Sequence, residues 1–247
     1  MKREILGLIS ALLLLTGCAK PVPEPSVPVE TPEVQTAAPT PVPTPSPTPA
    51  PEAQTTAPTP VPTPSPTPTP EPADDAMVYV RDVDGTILAE LRYAAENNFT
   101  GTVIYDFTQP QLRCGTAKKL AAAQKALLEQ SYGLLIWDAY RPVEAQFRLW
   151  EVCPDSTYVA NPNTGYSSHS RGSTVDVTLV ALDGSPVEMP SDFDEFSALA
   201  DRDYSDVSAT AAEHARLLED AMTAAGFTGY SGEWWHFSDT TEYPVVG

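Results

Sequence analysis

Positive charge is scarce in this sequence. Its 247 residues include 14 lysines and arginines against 33 aspartates and glutamates, which gives a formal net charge of -19. Because nucleic-acid binding requires a basic surface, this composition argues against that class of function. The same deficit disfavours adhesion to anionic lipid through charged side chains. It says little about a metal-dependent site, since a bound ion supplies its own local charge.

The apolar run at the start of the chain is too short to cross a bilayer. It covers about eleven residues, from Ile5 to Leu15, which suits the apolar part of a signal peptide. The string Leu15-Thr16-Gly17-Cys18 resembles a bacterial lipobox, in which Cys18 is lipidated and becomes the mature N-terminus. Two acyl chains would anchor the protein stably, so we expect a bacterial protein at the outer face of the cytoplasmic membrane or in the cell wall. The alternative is an ordinary cleaved signal peptide with an incidental cysteine.

Large apolar residues are nearly absent from the next segment, residues 19–76. Its Pro, Thr, Ser, Ala and Glu cannot bury enough surface to offset the entropy cost of ordering. One proline-rich string occurs twice, from Ala38 and from Ala57. Alternating prolines favour polyproline II, which predicts a disordered, semi-rigid linker with a reach on the order of 170 Å. The predicted organisation is a signal peptide over 1–18, this linker, and a folded domain over 77–247.

The rest of the chain combines strand and helix patterns. β-branched and aromatic runs indicate strands, and apolar residues that recur every three or four positions indicate helices. We predict an α+β domain with helices packed on one mixed or antiparallel sheet. A capping box at Thr210 and Glu213 predicts where the last helix opens, and Gly226 where it closes. The predicted strands are 77–80, 87–93, 134–137, 174–179 and 230–237, and the other predicted helices are 110–130 and 142–152.

Cysteine is also rare. The sequence has three cysteines, and an even pair remains when Cys18 is set aside. Outside the cytoplasm such a pair is usually oxidised, so we expect a disulfide between Cys114 and Cys153, with two buried thiols as the alternative. Neither cysteine has a histidine nearby in the sequence, which argues against a catalytic thiol.

Only three histidines occur, and two of them lie in short polar stretches that also contain acids. Two imidazoles and one carboxylate suit zinc, and three protein ligands with an open fourth position are typical of a catalytic zinc site. The candidate ligands are His169, Asp176 and His236, and Glu233 is the candidate base for a water at that site. By spacing alone, two structural histidines are an equal alternative. The third histidine, His214, lies on the apolar stripe of a predicted helix, and we interpret it as a core residue.

The last predicted strand carries a geometric condition. Side chains alternate along a strand, so Glu233 and His236 would point to opposite faces of a regular one. Both can act at one metal only if Glu233 lies in a bend before the strand. The sequence therefore predicts an irregular backbone at this point.

The residues around these candidates resemble a known family. The pattern Ser-x-His-x-x-Gly-x-x-x-Asp, followed later by Glu-x-Trp-His, is typical of the zinc D,D-peptidases. The longer strings Ser-Arg-Gly-Ser-x-x-Asp-x-Thr-Leu and Glu-Trp-Trp-His are similar to the D-alanyl-D-alanine dipeptidase branch of the vancomycin-resistance type. The resemblance covers nearly the whole predicted domain and implies the hedgehog/D,D-peptidase fold with one zinc ion per chain. The residues that carry it are Ser167, His169, Gly172, Asp176, Glu233, Trp235 and His236.

The resemblance also implies roles for residues elsewhere in the chain. Arg141, in Tyr-Arg-Pro, would lie in the active site and hold an oxyanion, whereas a surface ion pair is the alternative. Tyr93 would lie near the substrate, although the residue alone favours a half-buried strand tyrosine. Asp194 would bind the free ammonium group of a dipeptide with Ser167 beside it, whereas composition alone favours a solvated loop acid at position 194.

The resulting hypothesis is zinc-dependent hydrolysis of D-Ala-D-Ala by a metal-activated water. The predicted exported location favours an alternative, a D,D-carboxypeptidase that trims the stem peptides of peptidoglycan. Asp194 discriminates between the two, because a countercharge for a free ammonium group makes sense only for a short substrate. An alternative of another class is a zinc-containing binding module without turnover. Glu233 and Arg141 beside a full ligand set argue against it.

Overall fold

The computed structural model of the protein describes residues 70–156 and 158–247. The predicted signal peptide, Cys18 and nearly all of the predicted linker lie outside these residues. Within the described ranges, no helix is long and apolar enough to cross a membrane. The strands there are β1 Met77–Tyr79, β2 Leu88–Ala89, β3 Gln111–Arg113, β4 Tyr132–Asp138, β5 Thr174–Ala181, β6 Phe227–Tyr230 and β7 Glu233–Asp239, and the helices are α1 Val80–Val83, α2 Cys114–Leu128, α3 Val143–Val152 and α4 Ala209–Ala224.

Five of the strands form one mixed sheet in the order β2-β4-β5-β7-β6. β2 is parallel to β4, whereas the other neighbours pair antiparallel. β5 lies at the centre and is buried along almost its whole length, including its polar residues Thr174, Asp176 and Thr178. β1 and β3 form a separate antiparallel pair. The prediction of an α+β domain with a mixed sheet is confirmed.

Helices α2 and α4 pack against each other and against the sheet. The apolar stripe of each helix faces this layer. Leu120 and Leu127 of α2 are fully buried there, as are Leu218 and Met222 of α4. Burying one such side chain stabilises the fold by roughly 1.5–3 kcal/mol. The layer therefore gives the strands the rigid support that a site built on them requires.

Two elements are shorter in the structure than in the prediction. The α2 helix begins at Cys114 rather than at residue 110, because residues 111–113 pair with β1 instead. The predicted strand 87–93 is reduced to β2, and residues 92–94 form a 3-10 turn. A short strand thus replaces the start of the predicted helix, and a 3-10 turn replaces the end of the predicted strand.

The start of α4 also differs from the prediction. The predicted capping box at Thr210 is wrong, because the N-cap lies two residues earlier, at Ser208, and the helix begins at Ala209. Ser208 has the extended backbone that a cap requires, and its hydroxyl oxygen accepts a hydrogen bond from the Ala211 amide at 3.0 Å. The predicted end is confirmed: Gly226 follows the helix with a φ of 97°.

The predicted disulfide between Cys114 and Cys153 is wrong, because both cysteines are free. Cys114 is buried at the start of α2, where its Sγ lies 3.6 Å from the carbonyl oxygen of Pro72. Cys153 directly follows α3 and is only half-buried. An even number of cysteines says nothing about whether two thiols meet, and here the start of α2 packs against the chain that enters the domain.

Residues 71–76 pack against the domain ahead of the predicted boundary at residue 77. Lys118 of α2 pairs with the carboxylates of Glu71 at 2.7 Å and Asp74 at 3.0 Å. The amide of Cys114 donates a hydrogen bond to the carbonyl oxygen of Ala76 at 2.8 Å. Among the described residues, packing against the domain therefore begins ahead of residue 77, at Glu71.

Candidate metal centre and active site

Strand register places three polar residues side by side on the sheet. Asp176 of β5 lies directly opposite Asp138 of β4 on one side and directly opposite His236 of β7 on the other. Directly opposed residues of neighbouring strands project their side chains to the same face. The sheet therefore brings two carboxylates and an imidazole into one row.

His169 reaches this row from a one-turn 3-10 helix, residues 168–171, called the His169 turn below. Ser167 caps the turn, and its hydroxyl oxygen accepts a hydrogen bond from the His169 amide at 3.3 Å. Gly172 ends it with a φ of 71°, a left-handed conformation that glycine adopts at low cost. A Cβ at position 172 would also lie 2.8 Å from Sδ of Met77. The string Ser-x-His-x-x-Gly thus fixes both ends of the turn.

The main chain orients the imidazole of His169. Its Nδ1 lies 2.8 Å from the carbonyl oxygen of Ala139, and because a carbonyl can only accept, Nδ1 carries the proton. Nε2 is therefore free to bind a metal, and it lies 3.4 Å from Oδ2 of Asp176. Burial lowers the pKa of His169 to about 3, so the ring is neutral at physiological pH.

His169, Asp176 and His236 converge as a metal-binding triad. One ligand atom from each lies within 4.8 Å of the others. Oδ1 of Asp176 lies 3.0 Å from Nδ1 of His236, yet this buried oxygen accepts no hydrogen bond from any described residue. Burial, together with the charge of Asp138, raises the pKa of Asp176, so a cation is needed to keep the carboxylate ionised. A divalent metal ion fits this set of donors. Both imidazoles are neutral, one buried carboxylate oxygen of Asp176 accepts no hydrogen bond from the described residues, and the three side chains approach closely without hydrogen bonds between them.

The bend required at Glu233 is present. Gly229 of β6 pairs with Phe237, whereas the next residue, Tyr230, pairs with Glu233, so the residues between them form a bulge on β7. Two consecutive tryptophans, 234 and 235, are both buried there, which breaks the alternation of a regular strand. Oε2 of Glu233 consequently lies 3.6 Å from Nδ1 of His236.

Arg141 is buried in the site and held by three side chains. Its Nη2 donates to Oδ2 of Asp138 at 2.6 Å, its Nη1 to Oε1 of Gln146 at 2.8 Å, and its Nε to the hydroxyl of Tyr105 at 3.2 Å. The surface ion pair weighed as an alternative is therefore excluded. Burial alone would raise the pKa of Asp138, but the charge of Arg141 and the hydrogen bonds that Tyr105 and Arg141 donate outweigh it, and the pKa is lowered.

None of the three partners of Arg141 was predicted from the sequence. Asp138 was detectable in principle, because an acid three residues before an arginine at the end of a strand is a natural ion-pair partner. Tyr105 and Gln146 carried no such signal. Tyr105 reaches the arginine from a loop 36 residues away in the sequence, and Gln146 reaches it from the start of α3.

Asp194 is not the solvated loop acid that composition favours. It accepts a hydrogen bond at 2.6 Å from the hydroxyl of Tyr93, which is itself buried. Its φ of 55° places it in the left-handed region, which costs on the order of 1–3 kcal/mol outside glycine and points to a constrained position. Burial raises the pKa of Asp194 to about 7.

All of the predicted site residues line one open cavity of about 330 Å³. Three tyrosines that the sequence analysis did not single out, Tyr158, Tyr166 and Tyr230, also line it and are largely exposed. A larger cavity of about 480 Å³ lies between β1, α1 and the start of α2, but no residue of the metal triad lines it. The chemistry therefore belongs to the smaller cavity.

Comparison with known proteins agrees with this site. A family model described as D-Ala-D-Ala dipeptidase matches residues 74–245. The chain belongs to the D-Ala-D-Ala dipeptidase family. This confirms the family expected from the sequence and makes the protein a metallopeptidase whose metal-binding triad is His169, Asp176 and His236.

Several relatives of this dipeptidase family can be compared with the chain. The D-alanyl-D-alanine dipeptidase of Escherichia coli is 38% identical over 167 residues, which cover 64% of this chain and 82% of the relative. That of Enterococcus faecium is 36% identical over 169 residues, covering 60% and 83%. Among solved structures, a vancomycin resistance D,D-pentapeptidase, VanY, in complex with Zn(II) aligns with a TM-score of 0.35 and 18% identity, over 53% of this chain and 74% of that one.

Proposed function

We propose that the protein hydrolyses free D-Ala-D-Ala with one zinc ion bound by His169, Asp176 and His236. The observation that carries this proposal is the shared cavity. A metal triad, an acid beside it and a second acid suited to an ammonium group line the same 330 Å³ space. A dipeptide presents a carbonyl and a free amine a few ångströms apart, which matches this arrangement.

Glu233 acts as the proton carrier. Zinc bound at the triad would supply a Lewis acid that activates water and polarises the substrate carbonyl. The Glu233 carboxylate takes a proton from the attacking water and gives it to the amine that leaves when the peptide bond breaks. Burial and the nearby charge of Asp176 raise the pKa of Glu233, which makes it a better base than an exposed carboxylate.

Arg141 stabilises the oxyanion. A guanidinium has five N–H donors, and only part of them is used by Asp138, Gln146 and Tyr105. The remaining donors are available to the cavity that Arg141 lines. Because three side chains fix the guanidinium before substrate binds, little reorganisation is needed as charge develops.

Asp194 binds the ammonium group of the dipeptide, with Tyr93 and Ser167 beside it. Tyr93 donates to one oxygen of Asp194, which orients the carboxylate and leaves its other oxygen for the substrate. Ser167 uses its hydroxyl oxygen to accept from the His169 amide, so its own proton remains available as a donor. Both residues line the cavity.

A D,D-carboxypeptidase acting on peptidoglycan stem peptides is the second candidate. The predicted lipidation of Cys18 would hold the enzyme outside the cytoplasmic membrane, near cell-wall substrate rather than near a cytoplasmic dipeptide pool. The exposed Tyr158, Tyr166 and Tyr230 around the cavity also offer aromatic surface that a longer peptide could contact.

One experiment separates these functions. The zinc-loaded chain without its signal peptide, residues 19–247, is offered D-Ala-D-Ala, its N-acetylated form, and a stem pentapeptide that ends in D-Ala-D-Ala. Cleavage of the free dipeptide alone supports the dipeptidase, because acetylation removes the charge that Asp194 recognises. Equal cleavage of the acetylated or longer peptide would establish the carboxypeptidase. Zinc binding without cleavage of any of the three would contradict both enzymes and leave a binding module.

A further inference from the structure

The bulge on β7 has to be held in place by something outside the strand. Glu233 and His236 would lie on opposite faces of a regular strand, and a bulge leaves backbone groups without their ladder partners. Unpaired buried carbonyls are costly, so a stable bulge needs donors from elsewhere in the fold. The residues that supply these donors decide where the two side chains point.

Arg202 supplies them. Its Nε donates to the carbonyl oxygen of Tyr230 at 2.8 Å, and its Nη2 donates to the carbonyl oxygens of Trp234 and His236, each at 3.0 Å. These carbonyls lie on both sides of Glu233. The Arg202 amide adds a fourth contact, to the carbonyl oxygen of Ser231 at 3.2 Å. One arginine therefore contacts the backbone along the whole bulge.

Gly229 makes room for this guanidinium. A Cβ at position 229 would lie 2.4 Å from Cζ of Arg202, and the three nearest atoms all belong to that side chain. The guanidinium also stacks over the ring of Phe237 at 4.4 Å and pairs with Glu219 at 3.3 Å. Gly229, which has no side chain, and the half-buried guanidinium of Arg202 thus fit against each other.

We propose that Arg202 is a positioning residue of the active site, which holds the bulge so that Glu233 and His236 face the same metal. Arg202 does not line the catalytic cavity, so it acts through the backbone and not on substrate. The inference rests on the proposed roles of Glu233 and His236. A displacement of about 1 Å at a reacting group costs on the order of 10²-fold in rate, so a loosened bulge has a measurable effect.

The test compares three substitutions in the zinc- and cobalt-loaded chain. Arg202→Met removes the side-chain hydrogen bonds while keeping an apolar stem over Phe237. Gly229→Ala keeps the arginine but displaces it. Arg216→Met is the matched control, because Arg216 stacks over Tyr204 at 5.5 Å and makes no contact with the bulge among the described residues.

Arg202→Met should lower kcat about 10- to 100-fold with a change in KM of less than about threefold. It should also alter the visible absorption of the Co²⁺ form, because that absorption depends on the geometry of the ligands and His236 is one of them. Gly229→Ala should shift both readouts in the same direction. The double variant should be no worse than Arg202→Met, because both changes act through one contact. Arg216→Met should leave both readouts unchanged.

The proposal is overturned if Arg202→Met or Gly229→Ala lowers only the unfolding midpoint, with kcat and the Co²⁺ spectrum unchanged. Arg202 would then be a structural residue alone. If Arg202→Met does not fold, Gly229→Ala decides by the same readouts. The Co²⁺ spectrum requires no turnover. A wild-type protein without dipeptidase activity would therefore contradict the proposed function while the spectrum still tests the position of His236.

Discussion

The two histidines of the metal triad are held in different ways. His236 lies on a strand, and a single arginine, Arg202, binds the backbone around it. His169 lies on a short turn, and the two ends of the domain hold that turn. Arg113 donates to the carbonyl oxygens of Arg171 at 2.9 Å, Asp75 at 2.6 Å and Pro244 at 2.8 Å.

The C-terminal residues add to the second arrangement. The amide of Val246 donates to the carbonyl oxygen of Ser170 at 2.9 Å, and Nη1 of Arg171 donates to that of Tyr243 at 2.7 Å. A strand ligand is thus positioned by sheet register with local support, whereas a turn ligand depends on chain segments that are remote in sequence. Changes at the ends of the domain should therefore leave the position of His236 unaffected and should disturb the position of His169.

The largest effect is expected at Glu233, which lies at the bulge on β7. Glu233→Ala should lower kcat on the order of 10³-fold, because it removes the proton carrier. Metal content should stay at one ion per chain, since all three ligands remain. Steady-state kinetics and metal analysis of the same preparation check this, with the exposed helix acid Glu213→Ala as control. Simultaneous loss of metal and activity would assign Glu233 to metal binding instead.

The next largest effect is expected at Arg113, which supports the His169 turn. Arg113→Met should lower the free energy of unfolding by about 2–4 kcal/mol, because three carbonyl oxygens lose a charged donor in a buried place. Urea unfolding of the metal-free chain measures this directly. Arg113→Lys keeps the positive charge but loses the planar set of guanidinium donors, so its stability should lie between those of the wild type and Arg113→Met. An Arg113→Met protein as stable as wild type would show that water replaces the guanidinium and that the turn does not need it.

A truncation tests the dependence on the domain end. Removing residues 243–247 eliminates the contacts of Pro244, Tyr243 and Val246 with Arg113 and the His169 turn. Metal affinity should fall about 10- to 100-fold, as expected when the groups that orient a ligand are lost. Competition with a chelator measures it. Unchanged affinity would mean that the His169 turn holds its position without residues 243–247.

The smallest effect is expected at the end of the turn. Gly172→Ala should cost about 1–2 kcal/mol, because an L-residue in the left-handed conformation is strained. Contact with Met77 would add to this cost. Gly165→Ala is the control, since its φ is ordinary and its surroundings are open. Equal thermal stability of the two variants would show that the turn can relax.

The sequence predicted the ligands better than their supports. His169, Asp176 and His236 were identifiable because rare residue types occurred at informative spacings, and even the bend at Glu233 followed from strand alternation. Arg113 and Arg202 were not identifiable, because each bonds to carbonyl oxygens. A carbonyl partner exists at every position and leaves no mark in the residue types. Arg113 and Pro244 are also 131 residues apart, a separation that no local pattern spans.

The errors have the same origin. The disulfide was predicted from a count of cysteines, which carries no information about distance. The cap of α4 was assigned to Thr210 because its spacing to Glu213 fits a capping box, but Ser208 competes for the same role and has the required backbone. In both cases the tertiary fold chose between options that were equivalent in sequence.

A single arginine, Arg113, links Asp75 at the entrance of the domain to the His169 turn. Arg113 contacts the carbonyl oxygens of both Asp75 and Arg171. Tension applied through the preceding chain would first load the ion pairs of Lys118 with Glu71 and Asp74, which are exposed and give way easily. The next contacts to bear the load are the hydrogen bonds of the Gly115 amide to the carbonyl oxygen of Asp74 and of Arg113 to that of Asp75. Part of a mechanical pull on the domain would therefore pass through Arg113 to the turn that carries a ligand of the metal.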